Sequence, residues 1–301
     1  MSVVFGLWSR IMPERVMACA FSLEYLLVGG HDGSTDENPY FMWYDWMAGG
    51  WGGRASKDGA SATAPVFGPG LAVQPIEGQE RLSPVLTTVH QIGTDSGGPG
   101  RFRGGLGIEK GGTLVDATKT VMSYCCDRAR SITWGIEGGL PSIPHGVWMN
   151  KGTDQERFLG SNFSAVPLHS GDSFTRPSAG GGGYGDPLER PFDEVLEDVI
   201  DQYVSIERAA KDYGVIIREI ARDLDQFEID QAASLELRQQ IRADRPGWLT
   251  ADPVAVAEKY RAGEVDMLAG IRSSGLILAW GTGELFPETT SEFRKGKDAR
   301  S

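Results

Sequence analysis

Residues 178–190 read Ser-Ala-Gly-Gly-Gly-Gly-Tyr-Gly-Asp-Pro-Leu-Glu-Arg. Four consecutive glycines are costly in a folded chain, because glycine loses more backbone freedom on folding than any other residue. A fold that keeps Gly180, Gly181, Gly182 and Gly183 needs either positive φ or a backbone surface free of side chains. Two uses meet that need. One is a cradle of successive N–H groups around an oxyanion. The other is a tight crossing of backbones that joins the chain before the run to the chain after it, and this is the reading we adopt. The run does not match G-x-x-x-x-G-K-[ST]. Its spacing is not that of a dinucleotide fingerprint either, and no strand–glycine–helix unit surrounds it.

The run also marks a change of composition. Only 8 of the 41 glycines lie after Arg190. Residues 191–301 carry 22 acidic and 14 basic groups, so most of the net charge of −12 sits there. The expected fold is α+β: a glycine-rich β body with an N-terminal helix over 1–190, sandwich or barrel-like, followed by a helical C-terminal region over 191–301 packed on it. In the body, Val3 to Val16 suits a helix broken at Pro13. Phe21 to Val28 suits a strand or helix end closed by Gly29-Gly30. The aromatic run Tyr40 to Trp46 suits a strand. Val85 to Ile92, Gly104 to Lys110, Thr113 to Tyr124 and part of Phe158 to Leu168 read as further strands. In the tail, helices are expected after Pro191, after Ser205 up to Gly214, over Ile229 to Ile241, and after Asp252-Pro253 up to Gly263. Leu276 to Trp280 suits a returning strand.

The acidic balance argues against nucleic acid and anionic membranes as partners. No apolar run approaches the length of a membrane span, and Arg10, Glu14 and Arg15 interrupt any signal-peptide core. Cys19, Cys125 and Cys126 make no disulfide framework, and adjacent cysteines pair poorly. A reduced, cytoplasmic setting is expected. Strand alternation puts Cys125 and Cys126 on opposite faces, which argues against shared metal chelation, and burial in the core is expected for them.

Few residues offer chemistry. Asp95-Ser96-Gly97-Gly98-Pro99-Gly100-Arg101-Phe102-Arg103 can be an anion-binding loop in which Asp95 and Arg101 or Arg103 meet a ligand, or a wide hairpin with a solvated ion pair. The four histidines, His31, His90, His145 and His169, form no H-x-x-x-H pattern. His31-Asp32 beside Gly29-Gly30 is the nearest approach to an acid/base or metal seed, with no second ligand at a recognisable spacing. The catalytic candidates are therefore His31 and Asp95, and the anion or substrate loop candidates are Arg101 and Gly180 to Gly183. No metal site is assigned. There is no G-x-S-x-G elbow.

Asp95-Ser-Gly-Gly-Pro-Gly-Arg-Phe-Arg-Gly-Gly-Leu-Gly107 and Gly180-Gly-Gly-Gly-Tyr-Gly-Asp-Pro-Leu-Glu-Arg190 resemble segments of the hydantoinase B family. So do Val195-Leu-Glu-Asp-Val199, Val204-Ser205, Ala209-Ala210 and Tyr213-Gly-Val215. That family includes B-type subunits of N-methylhydantoinase and 5-oxoprolinase and related subunits of acetone and acetophenone carboxylases. The resemblance runs from Gly29 to about Arg294. The segment from Trp280 to Arg294 is most similar to the carboxylase and lactamase-like members.

The resemblance implies a subunit of an ATP-dependent carboxylase or amidohydrolase, acting on a lactam, hydantoin or ketone that an A-type subunit has phosphorylated. ATP and a divalent metal (Mg, Mn or Zn) are then held by partners, none by this chain alone, and the isolated chain is inactive. Family members are roughly twice as long, and this chain corresponds to their C-terminal half. The His/Asp metal cluster of the carboxylases lies in the other half and maps onto no position here. The implied partners are an A-type subunit and a further B-type subunit or N-terminal half, in a hetero-oligomer. The alternative is a non-catalytic interaction subunit, in which the aromatic residues from Tyr40 to Trp51 form a buried interface.

Overall fold

The regular structure of the first 180 residues is mainly antiparallel strands, in which buried and exposed side chains alternate along stretches such as Tyr40–Asp45. The structure is a computed structural model that describes residues 2–66, 68, 73–128, 132–272, 274–279 and 282–298. Helix α1 (Ser2–Trp8) and a 3-10 turn at Pro13–Arg15 lead into strand β1 (Glu24–Asp32) and strand β2 (Tyr40–Asp45). Helix α2 (Ile76–Leu82) precedes β3 (Val85–Ile92), β4 (Ile108–Leu114), β5 (Ala117–Cys126), β6 (Val147–Met149), β7 (Arg157–Gly160), β8 (Asn162–Leu168) and β9 (Ser173–Pro177). One sheet has the order β2-β1-β5-β8 and the other β3-β4-β9-β6-β7. Every pairing is antiparallel. Neither sheet closes on itself, so the barrel expectation is corrected to two open sheets.

Side chains from both sheets meet in one core. Leu26, Val28, Phe41, Trp43, Met122 and Tyr124 come from the first sheet, and Val85, Leu114, Val147, Met149 and Phe174 from the second. Trp43 and Phe174 meet edge to face, ring centroids 5.5 Å apart, and so bridge the two layers. Each such fully buried side chain contributes about 1.5–3 kcal/mol relative to exposure.

After Arg190 come α3 (Phe192–Ile200), α4 (Ile206–Tyr213), β10 (Ile217–Ala221), β11 (Gln226–Ile229), α5 (Gln231–Thr250), α6 (Pro253–Arg261), α7 (Met267–Arg272) and α8 (Pro287–Asp298). Helix α4 starts where the Ser205 hydroxyl accepts the Arg208 N–H at 3.1 Å, and it stops at Gly214, whose φ is 63°. Asp252 caps α6 by accepting the Val254 N–H at 3.1 Å. This region has its own core of Val195, Val199, Val204, Tyr213, Val215 and Ile217.

Four expectations need correction. The region after residue 190 is not purely helical, because β10 and β11 pair as a hairpin. Gly29-Gly30 do not close β1: the strand runs through them with a register shift between Gly29 and His31. Gly104 to Gly107 lie outside the strand that starts at Ile108. The return at Leu276 to Trp280 is a single bridge between Leu278 and Leu285, and Trp280 lies outside the described residues.

Candidate functional site

The glycine run is hydrogen-bonded to, and closely approached by, several other backbone segments. The N–H of Gly181 donates to Gly105 O, that of Gly182 to Cys19 O and that of Gly183 to Leu140 O, at 2.8, 2.8 and 3.0 Å. In return Gly98 donates to Gly181 O and Gly53 to Gly182 O, each at 2.8 Å. A Cβ on any of the four would stand against foreign backbone: Ser96 O at 2.4 Å from Gly180, Trp51 O at 1.9 Å from Gly181, Trp134 O at 2.0 Å from Gly182 and Pro99 O at 1.9 Å from Gly183. None of the four has positive φ. What is required here is therefore close approach. The amides of Gly181 to Gly183 serve carbonyls, whereas the anion cradle expected of Gly180 to Gly183 needs such amides free.

The expected anion loop is likewise occupied by the protein itself. Arg101 donates to Glu194 at 2.9 Å and Arg103 to Asp198 at 3.2 Å. Arg190 reaches Asp58 and Asp198. Glu194 and Asp198 stand one turn apart on α3, so three arginines of the glycine-rich part grip one face of that helix. Burial and the neighbouring Asp58 push the Asp198 carboxyl up, against the pull of Arg103 and Arg190. Asp95 is not beside Arg101 or Arg103 as a ligand clamp. It has φ 62°, accepts the Ser205 N–H at 2.9 Å and offers its carbonyl to Arg272. Arg272 pairs with the buried Asp212 at 2.6 Å. Asp95 thus joins the loop to the start of α4.

A second polar centre lies between the two sheets and was not foreseen. Glu24, Asp45, Lys110 and Arg176 are all buried. Lys110 reaches Asp45 at 3.1 Å and Gln79 at 3.1 Å. Arg176 pairs with Asp45 and, at 3.4 Å, with Glu24. Glu24 also receives the Tyr124 hydroxyl and lies 3.1 Å from His145 Nδ1. Burial pushes the Glu24 carboxyl up, but Arg176, His145 and Tyr124 together outweigh it and hold it below the usual range. Lys110 and Arg176 both lie over the Trp43 ring. Two cations meet two carboxylates in a place closed to water, which suits holding two sheets in register. The signal was present in the strands. Glu24 shares parity with Leu26 and Val28, Asp45 with Phe41 and Trp43, Lys110 with Ile108 and Leu114, and Arg176 with Phe174.

The structure brings none of the other candidates together. His31 sits near the end of β1, its Nδ1 3.0 Å from Asn38 O and its ring edge to face with Tyr40. Asp32 accepts the Ser34 N–H within its own turn. Cys19 and Cys126 are buried, but Cys125 is exposed, which corrects the burial expected of it. A cleft of about 550 Å³ is lined by Asn150, Asp154, Glu156, Arg157, His169 and Asp172 among others. Among the described residues no three His, Cys, Asp or Glu side chains are placed to hold a metal ion. The described residues therefore offer no cluster of such ligands for the divalent metal that the resemblance implies. No helix among them is long and apolar enough to cross a membrane.

Comparison with known proteins agrees with these motifs. The family model for hydantoinase B/oxoprolinase matches residues 1–187. The B-type subunit of a putative D-/L-hydantoinase from Pseudomonas sp. (strain NS671) is 30% identical over 233 residues, which cover 77% of this chain and 37% of that protein. The acetone carboxylase alpha subunit of Xanthobacter autotrophicus is 27% identical over 289 residues, covering 85% of this chain and 36% of that one. The crystal structure of the ATP-dependent caprolactamase from Pseudomonas jessenii superposes with a TM-score of 0.62 at 29% identity, over 77% of this chain and 40% of that one. This chain thus spans about two-fifths of the length of these relatives.

Proposed function

The chain belongs to the hydantoinase B/oxoprolinase family, and from that premise we infer that it is one part of an ATP-dependent carboxylase or amidohydrolase complex. Its relatives carry the names of hydantoinase, acetone carboxylase and ATP-dependent caprolactamase. In this reading an A-type subunit phosphorylates the oxygen of a lactam, hydantoin or ketone at the expense of ATP. The phosphorylated oxygen makes a reluctant carbonyl or enol reactive, and the B-type subunit assists hydrolysis or carboxylation. This chain supplies the C-terminal half of that B-type unit, with residues 1–190 as body and 191–301 packed on it.

The observation that carries the reading is the bundle around Gly180 to Gly183. In the most phosphate-like motif of the chain the amides of Gly181, Gly182 and Gly183 bond backbone carbonyls, and the guanidinium groups of Arg101 and Arg103 pair with Glu194 and Asp198. In this reading nucleotide binding belongs to a partner. The test is reconstitution with an A-type subunit and the remaining B-type polypeptide. Turnover of a hydantoin, lactam or ketone is expected only in the full mixture with ATP, and turnover by this chain alone refutes the reading.

A second reading, a purely structural share in the complex, is favoured by one observation: Asp95 serves α4 rather than an open site. His31→Ala and Asp95→Ala separate the two readings. Lost turnover with intact assembly assigns a catalytic share, and lost assembly assigns a structural one.

A further inference from the structure

The outward face of the first sheet is apolar where a solvated face is normally polar. In β2, Phe41 and Trp43 point into the core, while Tyr40, Met42 and Tyr44 point out, 66%, 63% and 42% exposed. The register carries the face across the sheet. Met42 lies opposite Gly29, Gly29 opposite Val121 and Val121 opposite Pro167. In the next row Tyr44 lies opposite Leu27, and Leu27 opposite Ser123. Neither row contains a charged residue. Tyr40 lies across Gly29, its hydroxyl 2.9 Å from where a Cβ would stand. An antiparallel sheet with one wet face alternates apolar inside and polar outside, whereas strands covered on both faces are apolar throughout. At ordinary strand spacing the seven positions of the two rows cover roughly 230 Å², on the few-hundred-Å² scale of the largest apolar patches of soluble proteins, which are often functional.

We propose that this face docks against the part of the B-type fold that this chain does not contain, an assignment that rests on the function proposed above. The relatives hold both parts in one polypeptide, of which this chain spans 37% and 40% in two cases. Parts of one subunit meet in a permanent interface, and such interfaces are the most apolar and charge-poor. A second copy is the weaker occupant. Each copy carries −12, and the two rows hold no charge to offset that repulsion.

Cys125 makes the proposal measurable. It lies on the same face, opposite Tyr25, and is exposed, while Cys19 and Cys126 are buried. The full chain is mixed with a probe, the part of the caprolactamase subunit beta of Pseudomonas jessenii (32% identical over 212 residues) that lies outside the matched region, used as a preparation whose circular dichroism and cooperative melting show it folded. A 1:1 complex by light scattering is expected, with Cys125 alkylation and Met42 oxidation each slowed at least tenfold. The variant M42K/Y44E is expected to lose the complex while keeping its circular dichroism and melting temperature, since both side chains point to water. The proposal is overturned by the absence of a complex, by a complex in which Cys125 and Met42 stay reactive, or by a folded variant that binds as well as the parent. Protection in the chain alone, or only with an A-type subunit, overturns it in favour of that other occupant. If the charged variant unfolds, the labelling of the parent chain decides alone. Turnover of the full mixture reports on the proposed function separately, so an active complex with this face still reactive sinks the docking assignment and leaves the function standing.

Discussion

Arg190 holds Asp58 as a fork on a fork: its two terminal nitrogens donate to the two carboxylate oxygens, each at 2.9 Å. The guanidinium is almost fully buried and also reaches Asp198 at 3.0 Å. Arg190 closes the glycine motif in sequence, Asp58 lies far upstream and Asp198 belongs to α3, so one side chain ties three segments together. Arg190→Met is expected to lower stability by about 3–5 kcal/mol, because two carboxylates then lose a buried partner. Arg190→Lys keeps the charge but not the planar fork, and recovers part of the loss. Urea unfolding measures both. A loss under about 1 kcal/mol for the methionine variant, in the range of exposed ion pairs, removes the clamp from the account.

Gly182 and Gly78 give opposite expectations for the same substitution. Alanine at 182 places a methyl carbon 2.0 Å from Trp134 O and 2.5 Å from its carbonyl carbon, and backbone cannot step aside. Gly182→Ala is expected to abolish soluble, cooperatively folding protein, an outcome beyond the usual range of single substitutions. Gly78 lies in α2 with nothing within 4 Å of its would-be Cβ. Gly78→Ala is expected to raise stability by up to about 1 kcal/mol through helix propensity. Yield and thermal melting of the two variants check the contrast, and a well-folded Gly182→Ala protein contradicts the bundle.

Asp186 supplies an acid-sensitive tie. It receives the Leu188 N–H at 2.9 Å and both terminal nitrogens of Arg245 at 2.8 Å. Burial pushes its carboxyl up, but the Arg245 hydrogen bonds and charge outweigh this and hold it below the usual range. The folded value is thus depressed. The stabilisation is complete above the unfolded value near pH 4 and is lost as pH falls through the folded value. Asp186→Asn is expected to be less stable at pH 7 and to lose less on acidification below about pH 4 than the parent. Denaturation midpoints at several acid pH values report the slopes. Parallel slopes for parent and variant count against this assignment.

Much of this was legible for physical reasons that differ by element. Val85–Ile92, rich in Val, Thr and Ile and flanked by Pro84 and Gly93, is a strand over those residues. Ser205 and Gly214 bracket α4 because a cap and a left-handed residue are local requirements. The hairpin of β10 and β11 escaped notice because its outward residues, Glu219, Glu228 and the residues around them, carry the same charged character as the helices beside it. Gly29-Gly30 read as a stop, yet the sheet uses them as a bulge under Tyr40. The candidate site was harder still. Arg101, Arg103 and Asp95 carry ligand-binding chemistry, but their partners Glu194, Asp198 and Ser205 lie about a hundred residues away, and no local spacing reveals a long-range pair.

The charges between the sheets make the last prediction, one about coupling. Arg176 faces Glu24 and Asp45, and Lys110 faces Asp45, so the four charges balance among buried side chains. Removing one charge leaves an uncompensated partner in the core. Arg176→Met alone is therefore expected to cost about 3–5 kcal/mol. Glu24→Gln alone leaves an excess positive charge and is expected to cost a similar amount. Together the two substitutions leave Asp45 matched by Lys110, and the amide oxygen introduced by Glu24→Gln still offers Tyr124 an acceptor. The double variant is expected to be more stable than the sum of the single losses allows, by about 1–3 kcal/mol of coupling. Unfolding free energies of the four proteins close the cycle. Additive losses show that Arg176 and Glu24 act separately, and the register of the two sheets must then rest on the apolar contacts around Trp43 and Phe174 alone.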